Sequence, residues 1–220
     1  MFQSTEQAVG TVTVLAVMLL VSFPIHEFSH ALAAYRLGDG TAKLLGRLTL
    51  NPLAHFDPVG GTLLAITMIF GGGFAFGWAK PTPVNSYNLR GGRQSDALVA
   101  LAGPLSNLAL AAVAAIPFRI LHASGVETPL VLFILYLFIQ INIALMIFNL
   151  IPLPPLDGSH VLLALLDPQT SWKVRGVLQR YGSILLLVLI FLPQITHGPS
   201  PLTILFDVVI RPISSFLLGL

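Results

Sequence analysis

The chain has 220 residues, of which 55% are hydrophobic and 9% charged. A water-facing surface carries roughly 25% charged residues, so the composition excludes a soluble globular domain and indicates a polytopic membrane protein. The net charge of +2 gives no reason to expect nucleic acid, and the absence of cysteine excludes disulfides and thiolate metal ligands.

The first seven residues, MFQSTEQ, contain no Lys or Arg. They lack the basic flank of a secretory signal, so the first apolar run, residues 8–37, is expected to stay in the mature protein. Pro24 interrupts that run and removes the amide that would bond the Leu20 carbonyl, which predicts a kink. A polar, turn-rich segment follows, in which KLLGRLTL alternates loosely and reads as a short interfacial strand. Residues 62–78 are apolar but broken by Gly71, Gly72 and Gly73, and KPTPVNSYNLRGGR reads as a loop. Further apolar helices are expected at 97–118 and 129–151, the latter ending in the cluster IPLPPLDG, with a short helix at 158–166. SWKVRGVLQR reads as a basic segment on the membrane surface, and runs at 184–192 and 202–220 complete the chain. The expected fold is an all-α polytopic membrane protein. It has about five to six transmembrane helices, a re-entrant or broken segment and short interfacial strands, in one membrane-embedded domain over 1–220.

The stretch FPIHEFSHALAAYR, residues 23–36, carries two histidines and a glutamate inside a lipid-like run. In a helix His26 and His30 stand at i and i+4 on one face, where two imidazoles reach one zinc ion. Glu27 lies near the same face, in place to take a proton from a water activated by the metal, as in the H-E-x-x-H pattern of metalloproteases. At this composition the pattern is expected by chance about 0.002 times, and ionisable groups at membrane depth are costly and functional. Zinc hydrolases use three protein ligands and leave a position open. The third is sought among Asp157, His160, His55, Asp57, Asp39 and Asp207. Asp157 stands out because it follows the proline cluster and opens the next short helix.

His26-Glu27-Phe28-Ser29-His30 in an early helix, with Asn149-Leu-Ile-Pro152-Leu-Pro-Pro-Leu-Asp157-Gly158 downstream, resembles the site-2 protease family, zinc metalloproteases that cut inside membranes. Gly103-Pro104-Leu105-Ser106-Asn107, Asn51-Pro52-Leu53-Ala54-His55-Phe56-Asp57-Pro58 and Trp78-Ala79-Lys80-Pro81-Thr82-Pro83-Val84-Asn85 resemble its compact prokaryotic branch. The resemblance spans roughly residues 20–165, and no PDZ or CBS domain accompanies it. It implies one Zn²⁺ per chain held by His26, His30 and Asp157, with Glu27 as general base. It implies that Asn149 lies beside the metal and helps hold the substrate or the developing oxyanion, and that the Lys80–Asn85 loop offers backbone to an unwound substrate. The implied partners are a transmembrane protein substrate and the lipid bilayer. The alternative is a membrane metal transporter or scaffold that uses the same His and Asp ligands and has no need of Glu27 as a base.

Charge topology gives an independent expectation. Lys and Arg favour the cytoplasmic side. If residues 59–78 enter and leave on one face, then Arg36, Lys43, Arg47, Lys80, Arg90, Arg93, Lys173, Arg175 and Arg180 all fall inside and only Arg119 outside, with Arg211 left uncounted. The N-terminus is then outside and the site lies toward the cytoplasm. His26, His30 and Asp157 can meet only under this arrangement, because the first and fourth helices must run in the same direction. Among the other marked residues, His160 reads as a local polar group, His55 and Asp57 as turn chemistry, and Asn107 as a helix–helix hydrogen bonder. Asp207 and Arg211 read as an i, i+4 pair, and His122 and His197 as loop residues.

Overall fold

The computed structural model describes residues 5–70, 77–125, 129–196 and 201–219. Gly71, Gly72, Gly73 and His197 lie outside the described residues. Helix α1, Thr5–Val17, runs into a π-helical turn at Met18–Ser22 and then α2, Phe23–Arg36. The cause is Pro24: with no amide there the ladder slips, and the Phe23 amide bonds back to the Met18 carbonyl. The expected kink is therefore a one-turn change of pitch immediately before the histidines.

Short turns α3, Thr41–Leu44, and α4, Pro52–His55, precede α5, Pro58–Phe70. The interfacial strand expected at KLLGRLTL does not form, and no strand occurs among the described residues. Asp39 caps residues 41–44 by accepting from the amide and hydroxyl of Thr41, at 3.1 and 2.5 Å. The chain then reverses at Gly46, whose φ is +68°. Helix α5 is described as far as Phe70, and its N-terminal end is informative. A side chain added at Gly60 would place its Cβ 2.2 Å from the Trp78 carbonyl oxygen, and one at Gly77 would lie 2.4 Å from Leu64 Cβ. The Lys80 amide donates to the His55 carbonyl at 2.9 Å. The segment thus returns to the level at which it began.

After a short 3₁₀ turn at Ser86–Asn88 come α6, Arg93–Ser124, α7, Pro129–Asn149, and α8, Gly158–Leu165. The basic segment SWKVRGVLQR and the apolar run after it are one continuous helix, α9, Pro168–Thr196, rather than a surface piece and a separate run. The C-terminal run is α10, Pro201–Leu205, a π-helical turn at Phe206–Ile210, and α11, Arg211–Leu218. Among the described residues, four helices are long and apolar enough to cross a membrane: Val12–Arg36, Arg93–Ser124, Pro129–Asn149 and Pro168–Pro193. With the shorter apolar helices beside them, they make the expected all-α polytopic membrane protein. α5 is a shorter apolar helix as far as it is described, and the C-terminal run is broken into pieces and carries Asp207 and Arg211, which pair at 3.5 Å.

Helix α6 is the hub. Its buried Ala111, Ala115 and Phe118 pack on Ile139 and Ile143 of α7 and on Ile210 and Leu218. Small residues let the backbones approach closely, which is how helices associate where lipid supplies no hydrophobic drive. On another side, Val99 of α6 packs with Ala34 of α2 and Leu89. This sets α2, the start of α6 and the loop around Leu89 side by side.

Candidate metal centre

Helix α2 projects His26 and His30 from one face toward α6, and both are buried. Their Nε2 atoms lie 3.0 Å apart. The opposite ring nitrogens are held: His26 Nδ1 lies 2.9 Å from Asn107 Oδ1, and His30 Nδ1 lies 2.7 Å from the Val99 carbonyl oxygen. A carbonyl oxygen only accepts, so the facing Nδ1 of His30 carries the proton and its Nε2 presents a lone pair.

Asp157 enters from the loop after α7. The chain doubles back tightly there: a Cβ at Gly158 would meet the Leu150 carbonyl oxygen at 2.2 Å, so only glycine fits. Asp157 stands at the N-terminus of α8 but makes no side-chain cap. Its Oδ2 instead lies 3.2 Å from His26 Nε2 and 3.4 Å from His30 Nε2.

Three lone-pair atoms therefore converge with separations of 3.0, 3.2 and 3.4 Å. A tetrahedral zinc with N and O bonds near 2.0–2.1 Å places its ligand atoms about 3.3 Å apart. Asp157 Oδ2 is buried without a hydrogen-bond donor, and such an arrangement is favourable only around a cation. Gly103 of α6 forms one wall. A Cβ there would lie 2.3 Å from His30 Nε2 and 2.6 Å from His26 Nε2, in the space beside the ligand atoms. Among the described residues, His26, His30 and Asp157 form the one group of His, Asp and Glu side chains placed to hold a metal.

Glu27 is half-buried, and its Oε2 accepts the Thr82 amide at 2.7 Å while the Thr82 hydroxyl donates to its carbonyl at 2.9 Å. Asn149 closes α7, its side-chain amide donating to the Leu145 carbonyl at 2.9 Å. The other candidates are engaged elsewhere. His160 Nδ1 is 2.8 Å from Asp96 Oδ2, a pairing that raises its pKa above the usual imidazole range. His55 Nε2 donates to the Thr49 carbonyl at 2.8 Å. Asp57 caps α5 through the amides of Val59 and Gly60, at 2.9 and 2.8 Å. Asp39 holds Thr41, Asn85 and Asn88. His122 stacks on Phe118. Asn107, expected between helices, is tied to His26, and no local pattern in the sequence signals the contacts of Arg47 or Thr82.

The model of Peptidase family M50, the site-2 protease family, matches residues 14–124 and 115–189, which include all three convergent side chains. The chain belongs to peptidase family M50. It is 38% identical over 213 residues to the Bacillus subtilis (strain 168) protein YwhC, which carries a provisional zinc-metalloprotease name, covering 90% of this chain and 93% of that one. A Rip2 protein of Mycolicibacterium smegmatis, named in the same way, is 30% identical over 81% of this chain and 66% of its own length. Rip3 of Mycobacterium tuberculosis (strain H37Rv) is 31% identical over 80% of this chain, which spans 37% of that longer protein. No solved structure matches the chain. This M50 peptidase is therefore a membrane-embedded, zinc-dependent metalloprotease.

Proposed function

We propose that this M50 peptidase hydrolyses a peptide bond in or near a transmembrane segment of a membrane protein substrate, with one zinc held by His26, His30 and Asp157. The observation that carries the ligand assignment is the convergence of three lone-pair atoms at 3.0–3.4 Å beside Gly103. When bound, zinc supplies Lewis-acid polarisation of the scissile carbonyl and acidifies water at neutral pH.

The chain's own residues do the rest. Asn107 and the Val99 carbonyl fix both imidazoles with Nε2 toward the centre. Glu27 takes the proton of the attacking water and passes it to the leaving amine. Asn149 holds the unwound substrate or its developing oxyanion. A helical peptide bond is shielded by its own hydrogen bonds, so the substrate must unwind before it reaches the site.

The orientation follows from charge. The Arg90 amide donates to the Leu37 carbonyl at 3.0 Å, Arg47 reaches the Lys80 carbonyl, and Arg93 reaches the Leu166 carbonyl at 3.2 Å. These contacts support one basic face, which we assign to the cytoplasm with the N-terminus outside. The test is a comparison of membranes carrying wild type or Glu27→Gln. New N-termini within membrane spans are expected only with wild type, while zinc is retained in both. Equal cleavage by the two would overturn Glu27 as the base.

A further inference from the structure

Arg47 is 5% exposed, and its guanidinium spans three carbonyls. Nη1 donates to Ala54, and Nη2 donates to Lys80 and, at 3.2 Å, to Pro81. The peptide unit that starts at the Pro81 carbonyl ends at the Thr82 amide, and that amide donates to Glu27 Oε2 at 2.7 Å. One peptide group thus stands between a buried cation and a carboxylate, bonded to both. Pro81 and Pro83 have no amide hydrogen, so Thr82 carries the one backbone donor in this stretch. The loop is pinned again further along, where Asp39 accepts from the Asn85 amide at 2.7 Å and the Asn88 side chain at 2.9 Å.

We propose that Arg47 and Thr82 are positioning residues for Glu27, with the guanidinium fixing and polarising the Pro81–Thr82 peptide so that its N–H holds one carboxylate oxygen and leaves the other to meet water. Hydrogen bonds that end on ions are the strong ones, and in series they reinforce one another. A carboxylate held at one oxygen is oriented at the other, which is what proton transfer in a defined direction requires. The proposal rests on Glu27 being the base.

Pro-Thr occurs once in the sequence, at Pro81–Thr82. Labelling proline at the carbonyl carbon with ¹³C and threonine with ¹⁵N therefore gives a single carbonyl–amide NMR correlation for the detergent-solubilised, zinc-loaded protein. A downfield amide proton is expected in wild type, moving upfield in Glu27→Gln. In Arg47→Gln both the Pro81 carbonyl carbon and the Thr82 proton should shift, with Asp39→Asn moving them less. Arg47→Lys keeps the charge and most of the volume; it should give an intermediate position and carries the test if the Gln variant does not fold. On a substrate found by the terminal-mapping experiment, Arg47→Lys should lower kcat by roughly tenfold to a hundredfold at unchanged KM. A correlation that stays in place in both Arg47 variants, or shifts as much in Asp39→Asn, overturns the proposal. Wild type that cleaves nothing counts against the protease reading and leaves the NMR result to stand or fall separately.

Discussion

His26 Nδ1 and Asn107 Oδ1 lie 2.9 Å apart across the α2–α6 interface, both residues buried. This bond fixes which imidazole nitrogen faces Asp157. Partners of this kind typically account for a tenfold to hundredfold difference in metal affinity, about 10–100-fold. Asn107→Leu is expected to weaken zinc binding by that order in chelator competition while helix content is kept. Unchanged affinity would show that the ring is oriented without it.

Gly103→Ala makes a sharper test. Alanine is ordinarily the better helix residue by roughly 0.5–1 kcal/mol. Here its Cβ would stand 2.3 Å from His30 Nε2. The expected outcome is a folded protein that has lost most of its zinc, read by metal analysis and circular dichroism.

Gly60→Ala reverses the sign of the same preference elsewhere. The added methyl would meet the Trp78 carbonyl oxygen at 2.2 Å, a backbone atom that cannot swing away. Overpacking of this kind costs about 1–3 kcal/mol, and a lowered Tm should report it. An unchanged or raised Tm would mean that residues 60 and 78 are not side by side, and the return of the segment would fall with it.

His160 provides a pH dependence. Its bond to Asp96 raises its pKa above the ordinary value of 6.5. A raised imidazole pKa contributes stability that is fully present below the unfolded value and is lost as pH rises through the folded one. Wild type should therefore exceed His160→Gln in Tm at about pH 6, and the gap should be smaller at about pH 9. An equal gap at both values would contradict the pairing.

Much of the site was legible in sequence because its chemistry is local. H-E-x-x-H brings two candidate ligands together by helical spacing alone, and the proline cluster before Asp157 marks where α7 must end. Charge counting supported the return of residues 59–78, and the Gly60–Trp78 approach agrees. Other features depend on contacts across the chain. Nothing near Arg47 signals that it reaches Lys80 and Pro81, and nothing near Thr82 signals Glu27. KLLGRLTL alternates like a strand, but a strand needs a partner edge, and Asp39 instead turns the chain at Thr41. SWKVRGVLQR and the apolar run after it differ in composition, which hid that they form a single helix. The π-helical turn at Met18–Ser22 is a consequence of Pro24 that periodicity does not display.

The central claim is that one zinc sits among His26, His30 and Asp157. Its most direct test is the metal content of the purified, detergent-solubilised protein, wild type against Asp157→Ala, after zinc supplementation. The account predicts about one zinc per chain in wild type and marked loss in the variant. Zinc retained in full by Asp157→Ala, or absent from both proteins, would contradict it.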